Sequence, residues 1–142
     1  MEEITEDYVS FEIAKLLKEK GFDIPCREHY YQYGELSLYS TEYNNWNGEE
    51  DYYSCPTLQI AMKWLREVHG ISIDIITNFE WIRDSMASST DIEYPEISEF
   101  TGYYFEIHQL VPHRLLYDSP VISKTYNKVC DKAIKYCLVN LI

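Results

Sequence analysis

Several residues in this chain are of types that do chemistry, and their spacing decides whether they can. Cys26 and His29 stand in a Cys-x2-His spacing, and Cys55 joins them if the chain between folds back. A zinc centre draws on about four nitrogen or sulfur ligands. No second Cys-x2-Cys or His-x3-His half is present, so this grouping predicts ordinary loop residues. His108 and His113 are five apart with Pro112 between them, which predicts no shared geometry. Cys130 and Cys137 are seven apart. On one helix face their Cα atoms are about 10 Å apart, beyond disulfide reach, so the pair predicts core packing. Nucleophilic catalysis needs a Ser or Cys placed beside a His and an orienting carboxylate. No Gly-x-Ser-x-Gly elbow places one, and the five glycines form no phosphate loop. Glu49, Glu50 and Asp51 are consecutive and read as a solvated charge run. His69 falls in the last turn of a predicted helix, where a His faces the dipole favourably. The expectation is no catalytic residue, no cofactor and no metal ligand.

The aromatic residues are the more unusual feature. Eight of the fourteen tyrosines lie between Tyr8 and Tyr53, and in "HYYQY" both faces of an extended chain would carry Tyr. Rings with polar tips suit recognition. The plainer reading is a sheet whose inner tyrosines fill the core. Tyr43, Trp46 and Tyr52 stand among Glu49, Glu50 and Asp51, so these six residues are the candidate partner-binding face. Aromatics surrounded by acids predict a basic protein partner, with the carboxylates steering association.

The elements that position these residues follow from caps and periodicity. Ser10 caps a predicted helix over 11–20, with Gly21 as its stop. Pro25 blocks continuation, and alternating Tyr and Leu around Gly34 predict a β-hairpin over 27–41. A polar, turn-rich loop follows over 42–54. Ser54 or Thr57 then caps a helix over 57–69. Its apolar residues Leu58, Ile60, Ala61, Met62, Trp64, Leu65 and Val68 fill a broad arc, which predicts packing on two sides, against a sheet and a neighbouring helix. Gly70 ends it, and "ISIDIIT" predicts a buried strand. "FEWIRDSM" continues or pairs with that strand, "ASSTDIEYPEIS" reads as a loop and "TGYYFEIHQL" as another strand. "VPHRLLYDSPVIS", with two prolines, predicts irregular chain. Thr125 caps a last helix to about Leu141.

Composition bounds the rest. With 142 residues, 24 acidic against 12 basic side chains and a formal charge of −12, the chain repels a polyanion, which predicts no nucleic-acid binding. No apolar run approaches the length of a membrane span. The acidic start "MEEITEDYVS" is unlike a secretory signal, so the expected location is cytoplasmic and the four cysteines are expected to be reduced thiols.

Three segments, "YVSFEIAKLLKEKGFDIPC", "PTLQIAMKWLREVH" and "AIKYCLVNLI", resemble a group of short, uncharacterised proteins of gut anaerobic bacteria and their phages or mobile elements. Members of that group often begin the last helix with Glu-Glu-Ala, where this chain has Asn127, Lys128 and Val129. The resemblance covers the three predicted helices, so it marks scaffold. It implies a phage or mobile-element origin and attaches no activity.

The expected architecture is a single α+β domain over 1–142: three helices with a mostly antiparallel sheet, in the order α-β-β-α-β-β(-β)-α, helices on one face. The expected function is that of a non-enzymatic accessory protein acting by protein binding. The alternative is an acidic nucleic-acid mimic that inhibits a host defence protein, and a small enzyme without a recognisable motif ranks third.

Overall fold

The computed structural model describes residues 7–37, 40–82 and 97–142. The elements run α1 (Phe11–Glu19), β1 (His29–Tyr30), a 3-10 turn at Trp46–Gly48, β2 (Tyr53–Ser54), α2 (Leu58–His69), β3 (Ile71–Ile82), β4 (Ile97–Gln109), β5 (Arg114–Asp118) and α3 (Tyr126–Asn140). The fold is α+β, with an antiparallel pair β1–β2 and an antiparallel sheet β3–β4–β5. The loop predicted over 87–98 lies largely outside the described residues.

The helices form where their caps and stripes direct. Ser10 Oγ accepts from the Ile13 N–H at the start of α1, and Thr57 Oγ1 accepts from the Ile60 N–H at the start of α2. Gly70 closes α2 in the left-handed conformation at φ 66°, which a side chain would strain. From α3, Asp131 reaches the start of α1: its carboxylate accepts from Ser10 N–H at 3.4 Å and Ser10 Oγ at 3.3 Å. A carboxylate there also faces the positive end of the α1 dipole. Lys135 and Glu12 add an exposed ion pair at 2.7 Å between the same two helices.

One core cluster joins these elements. Helix α2 packs on β3 and on α3, while α3 contacts α1, α2, β3 and β4 and is the most central helix. Val129, Cys130, Ala133, Ile134, Cys137 and Leu138 of α3 are all fully buried. Spacing of three and four residues places them on one side of the helix, and the small Ala and Cys side chains leave room for close approach on several sides. Ile71 and Ile73 of β3 and Phe105 and Ile107 of β4 complete the core beneath the helices.

Four expectations need correction. The arc of α2 is narrower than its apolar sequence: Leu58, Ala61, Met62, Trp64 and Leu65 are buried, but Val68 and Ile60 are exposed. The sheet and α3 meet only part of the helix, so Ile60 and Val68 at the edges of the arc stay exposed. The strand at 71–77 is not buried on both faces. It alternates, with Ile71 and Ile73 inside and Asp74 exposed, because helices cover only one side of the sheet. The chain over 27–41 does reverse at Gly34, where Tyr31 N–H donates to Glu35 O and Ser37 N–H to His29 O, but among the described residues regular strand there is confined to His29–Tyr30. The Ser37 hydroxyl accepts the His29 N–H at 3.0 Å, taking the place of a ladder carbonyl. Regular pairing passes instead to Tyr53–Ser54. The proline-bounded stretch predicted to be irregular contains β5. Pro112 and Pro120 fall outside the five residues of β5, so no ladder donor is lost.

Candidate functional site

The six candidate residues of the aromatic and acidic edge do not form one face. Trp46 is half-buried, and its ring stacks on His29 with centroids 4.0 Å apart, while its Nε1–H donates to Cys26 O at 2.8 Å. Tyr52 is half-buried against the same imidazole at 5.0 Å and against Trp46 at 6.0 Å. Trp46 and Tyr52 thus serve packing, as an aromatic box around His29 closed by Tyr31. Burial in that box lowers the His29 pKa, against an opposing pull from Glu28, so the imidazole is held neutral at neutral pH.

Glu49, Glu50 and Asp51 are exposed, as a charge run should be. Their loop is tied down by a cation. The Lys18 ammonium donates to Glu49 O at 2.6 Å, Glu50 O at 3.1 Å and Tyr52 O at 2.8 Å, and lies 4.8 Å from the Tyr53 ring centroid. A Lys placed on the polar side of α1 by sequence periodicity is therefore the anchor of a distant loop.

Tyr43 belongs to another surface. It is 72% exposed and lines a groove of about 380 Å³ with Tyr8, Ile24, Pro25, Arg27, Glu28 and Ile60. Two antiparallel bridges build its walls. Tyr8 pairs with Thr57, and Cys26 pairs with Asn44 through reciprocal backbone bonds of 2.9 and 3.0 Å. Cys26 and Cys55 border the groove as buried side chains. Burial pushes both thiols up to about 12, so neither is a ready thiolate at neutral pH. Exposed apolar side chains from four separate chain segments, Tyr8, Ile24, Tyr43 and Ile60, meet here. Each of the first three follows a carboxylate: Asp7, Asp23 and Glu42, all exposed. A wider cleft, of about 660 Å³ between the end of α2 and the β4–β5 turn, has the opposite charge. It is lined by Arg66, His69 and Arg114 among others.

Sequence spacing missed the groove because Ile60 read as part of a packed helical arc and the acid–apolar pairs are scattered over 36 positions. The repeated acid-then-apolar dipeptide was the one available signal.

Among the described residues, Cys26, His29 and Cys55 are not a set whose ligand atoms converge. The other histidine reading needs correction. His108 Nδ1 and His113 Nε2 lie 3.0 Å apart with their rings stacked, because the β4–β5 turn folds residues 110–113 back and returns His113 to the strand that carries His108. Five residues with a proline was the length of that turn, not an obstacle to contact.

No known family model matches the chain, and neither a curated protein nor a solved structure is significantly similar to it. Among the described residues no helix is long and apolar enough to cross a membrane.

Proposed function

We propose that this chain is a non-enzymatic accessory protein that binds a basic protein segment in the groove lined by Tyr8, Ile24, Tyr43 and Ile60. One observation carries the reading: exposed apolar side chains from four chain segments line a single groove with Glu28, and an exposed carboxylate directly precedes three of them in the chain. Aromatic and aliphatic anchors supply contact area when a partner excludes water. Asp7, Asp23, Glu28 and Glu42 supply a potential that attracts cationic side chains and sets their register. The net charge of −12 extends that attraction over the whole molecule. A nucleic-acid mimic would need an array of carboxylates, whereas this groove is lined mainly by apolar side chains, which favours a protein partner. The resemblance of the three helices to short proteins of phages and mobile elements supports an accessory role on such an element.

The test uses a synthetic peptide that mixes Lys and Arg with Leu, titrated into the isotope-labelled full chain. Amide shifts should move around Tyr8, Ile24, Tyr43 and Ile60. Tyr43→Ala and Ile60→Asp should each weaken binding at least about tenfold, or about 1.4 kcal/mol. Raising ionic strength well above 0.15 M should weaken binding further, since exposed charges are screened beyond about 8 Å there. Affinity that survives Ile60→Asp but falls when Glu49, Glu50 and Asp51 are neutralised would move the working face to the Lys18-anchored loop and overturn the groove.

A further inference from the structure

We propose that the outer face of the β3–β4–β5 sheet holds a divalent first-row transition-metal cation, ligated by His108 Nε2, Glu106 Oε2 and Asp74 Oδ2. The side chains share a face because of register. Asp74 pairs with Glu106 across β3–β4, and His108 follows Glu106 by two residues on β4. The alternate residues Ile73, Phe105 and Ile107 turn inward and are buried, so the ligand set lies on the side away from the helices.

The distances already match coordination. His108 Nε2 lies 3.1 Å from Glu106 Oε2 and 3.6 Å from Asp74 Oδ2, and all three ligand atoms fall within 4.8 Å of one another. Ligands at about 2.0–2.1 Å from a tetrahedral zinc stand about 3.3–3.4 Å apart, between those two separations from the imidazole. A cation at the centre of this triangle therefore needs only small side-chain rotations. These residues are the one such group among the described residues.

Charge argues the same way. Asp118 pairs with Glu106 on the other side, so Asp74, Glu106 and Asp118 form a row of three carboxylates directly opposite one another across three strands. Like charges in that arrangement destabilise a sheet. Among the described residues none of the three has a Lys or Arg ion pair, and His108 is the only cationic candidate that touches the row. A divalent ion would offset two of the three charges at once.

The imidazole is also backed as a metal ligand should be. His108 Nδ1 faces His113 Nε2 at 3.0 Å. Nδ1–H donating to His113 leaves the Nε2 lone pair for the ion. Side-chain exposures of 18% for His108, 30% for Glu106 and 55% for Asp74 leave the outward coordination positions open to water. One imidazole among carboxylates favours a transition metal over Ca²⁺ or Mg²⁺, whose sites are built from oxygen alone.

The probe is Zn²⁺ titrated calorimetrically into metal-free full chain, with Mg²⁺ and Ca²⁺ as comparisons. The expected result is one equivalent of Zn²⁺, taken up in preference to the other two. Asp74→Asn and Glu106→Gln keep the side-chain shape and should weaken binding at least about tenfold. His108→Ala should abolish stoichiometric uptake. His113→Ala should keep one equivalent but bind it about 10–100-fold more weakly. Circular dichroism of each variant checks that it is folded. Absence of uptake by the unaltered chain, unchanged uptake by folded His108→Ala, or preference for Ca²⁺ would each overturn the proposal.

Discussion

Two substitutions on α2 separate what its apolar sequence promises from what its packing delivers. Leu65 is 0% exposed and Val68 is 59% exposed, although both fall on the apolar arc of the same helix. Leu65→Ala removes three carbons at about 0.8 kcal/mol each, or about 2.4 kcal/mol of burial. The cavity left in a close-packed interior adds about 1–2 kcal/mol more, for a total near 4 kcal/mol. Val68→Ala removes two carbons that are only about two-fifths buried, worth about 0.6 kcal/mol. Ala then recovers roughly 0.5 kcal/mol through its better helix propensity. The two variants should thus differ by about 3–4 kcal/mol, one near the largest effects of single substitutions and one close to zero. Urea melts followed by circular dichroism measure both, with equal slopes showing that only stability changed. A Leu65→Ala loss below about 1 kcal/mol, or a Val68→Ala loss above it, would refute the packing described for α2.

Two further outcomes test the core and the sheet. Burial pushes the thiols of Cys26, Cys55 and Cys137 up to about 12 and that of Cys130 up to about 11, so at pH 8 a thiol reagent should label none of them until the protein unfolds; fast labelling of the native chain would refute the burial. Folded thiols then hold protons that unfolded ones, with a pKa near 9.0, release, so stability should fall as pH rises from about 9 toward 12, by up to about 1.4 kcal/mol per pH unit for each thiol; alkaline melts with no such slope would count against it. Gly102 holds φ at 141°, and a Cβ there would lie 2.9 Å from Ser123 O where the chain bridges back onto β4 at Tyr103. Gly102→Ala should cost at least about 1–3 kcal/mol for the strained backbone alone, and a loss under about 0.5 kcal/mol in the same melts would show that the bridge is not held.

Local signals determined the parts of this protein that are local. Ser10, Thr57 and Gly70 act on backbone groups within four residues, so the starts of α1 and α2 and the end of α2 are legible without any knowledge of the fold. The three-and-four spacing of α3 likewise announces its buried face, and the burial of Cys130 and Cys137 follows from it. Tertiary structure decided everything that depends on which distant segments meet. Val68 and Leu65 are alike on a helical wheel, and only the position of the sheet and of α3 distinguishes them. Trp46 and Tyr52 look like surface rings until His29, some twenty residues away, is placed between them. Tyr8, Ile24, Tyr43 and Ile60 share no periodicity, and two isolated bridges bring them to one groove. Asp74 reaches Glu106 and His108 across 32 and 34 residues through strand register alone. Side-chain direction in a strand has a period of two, so which residues share a face is written locally. Which strand lies opposite, and in what register, is chosen by the whole core at once.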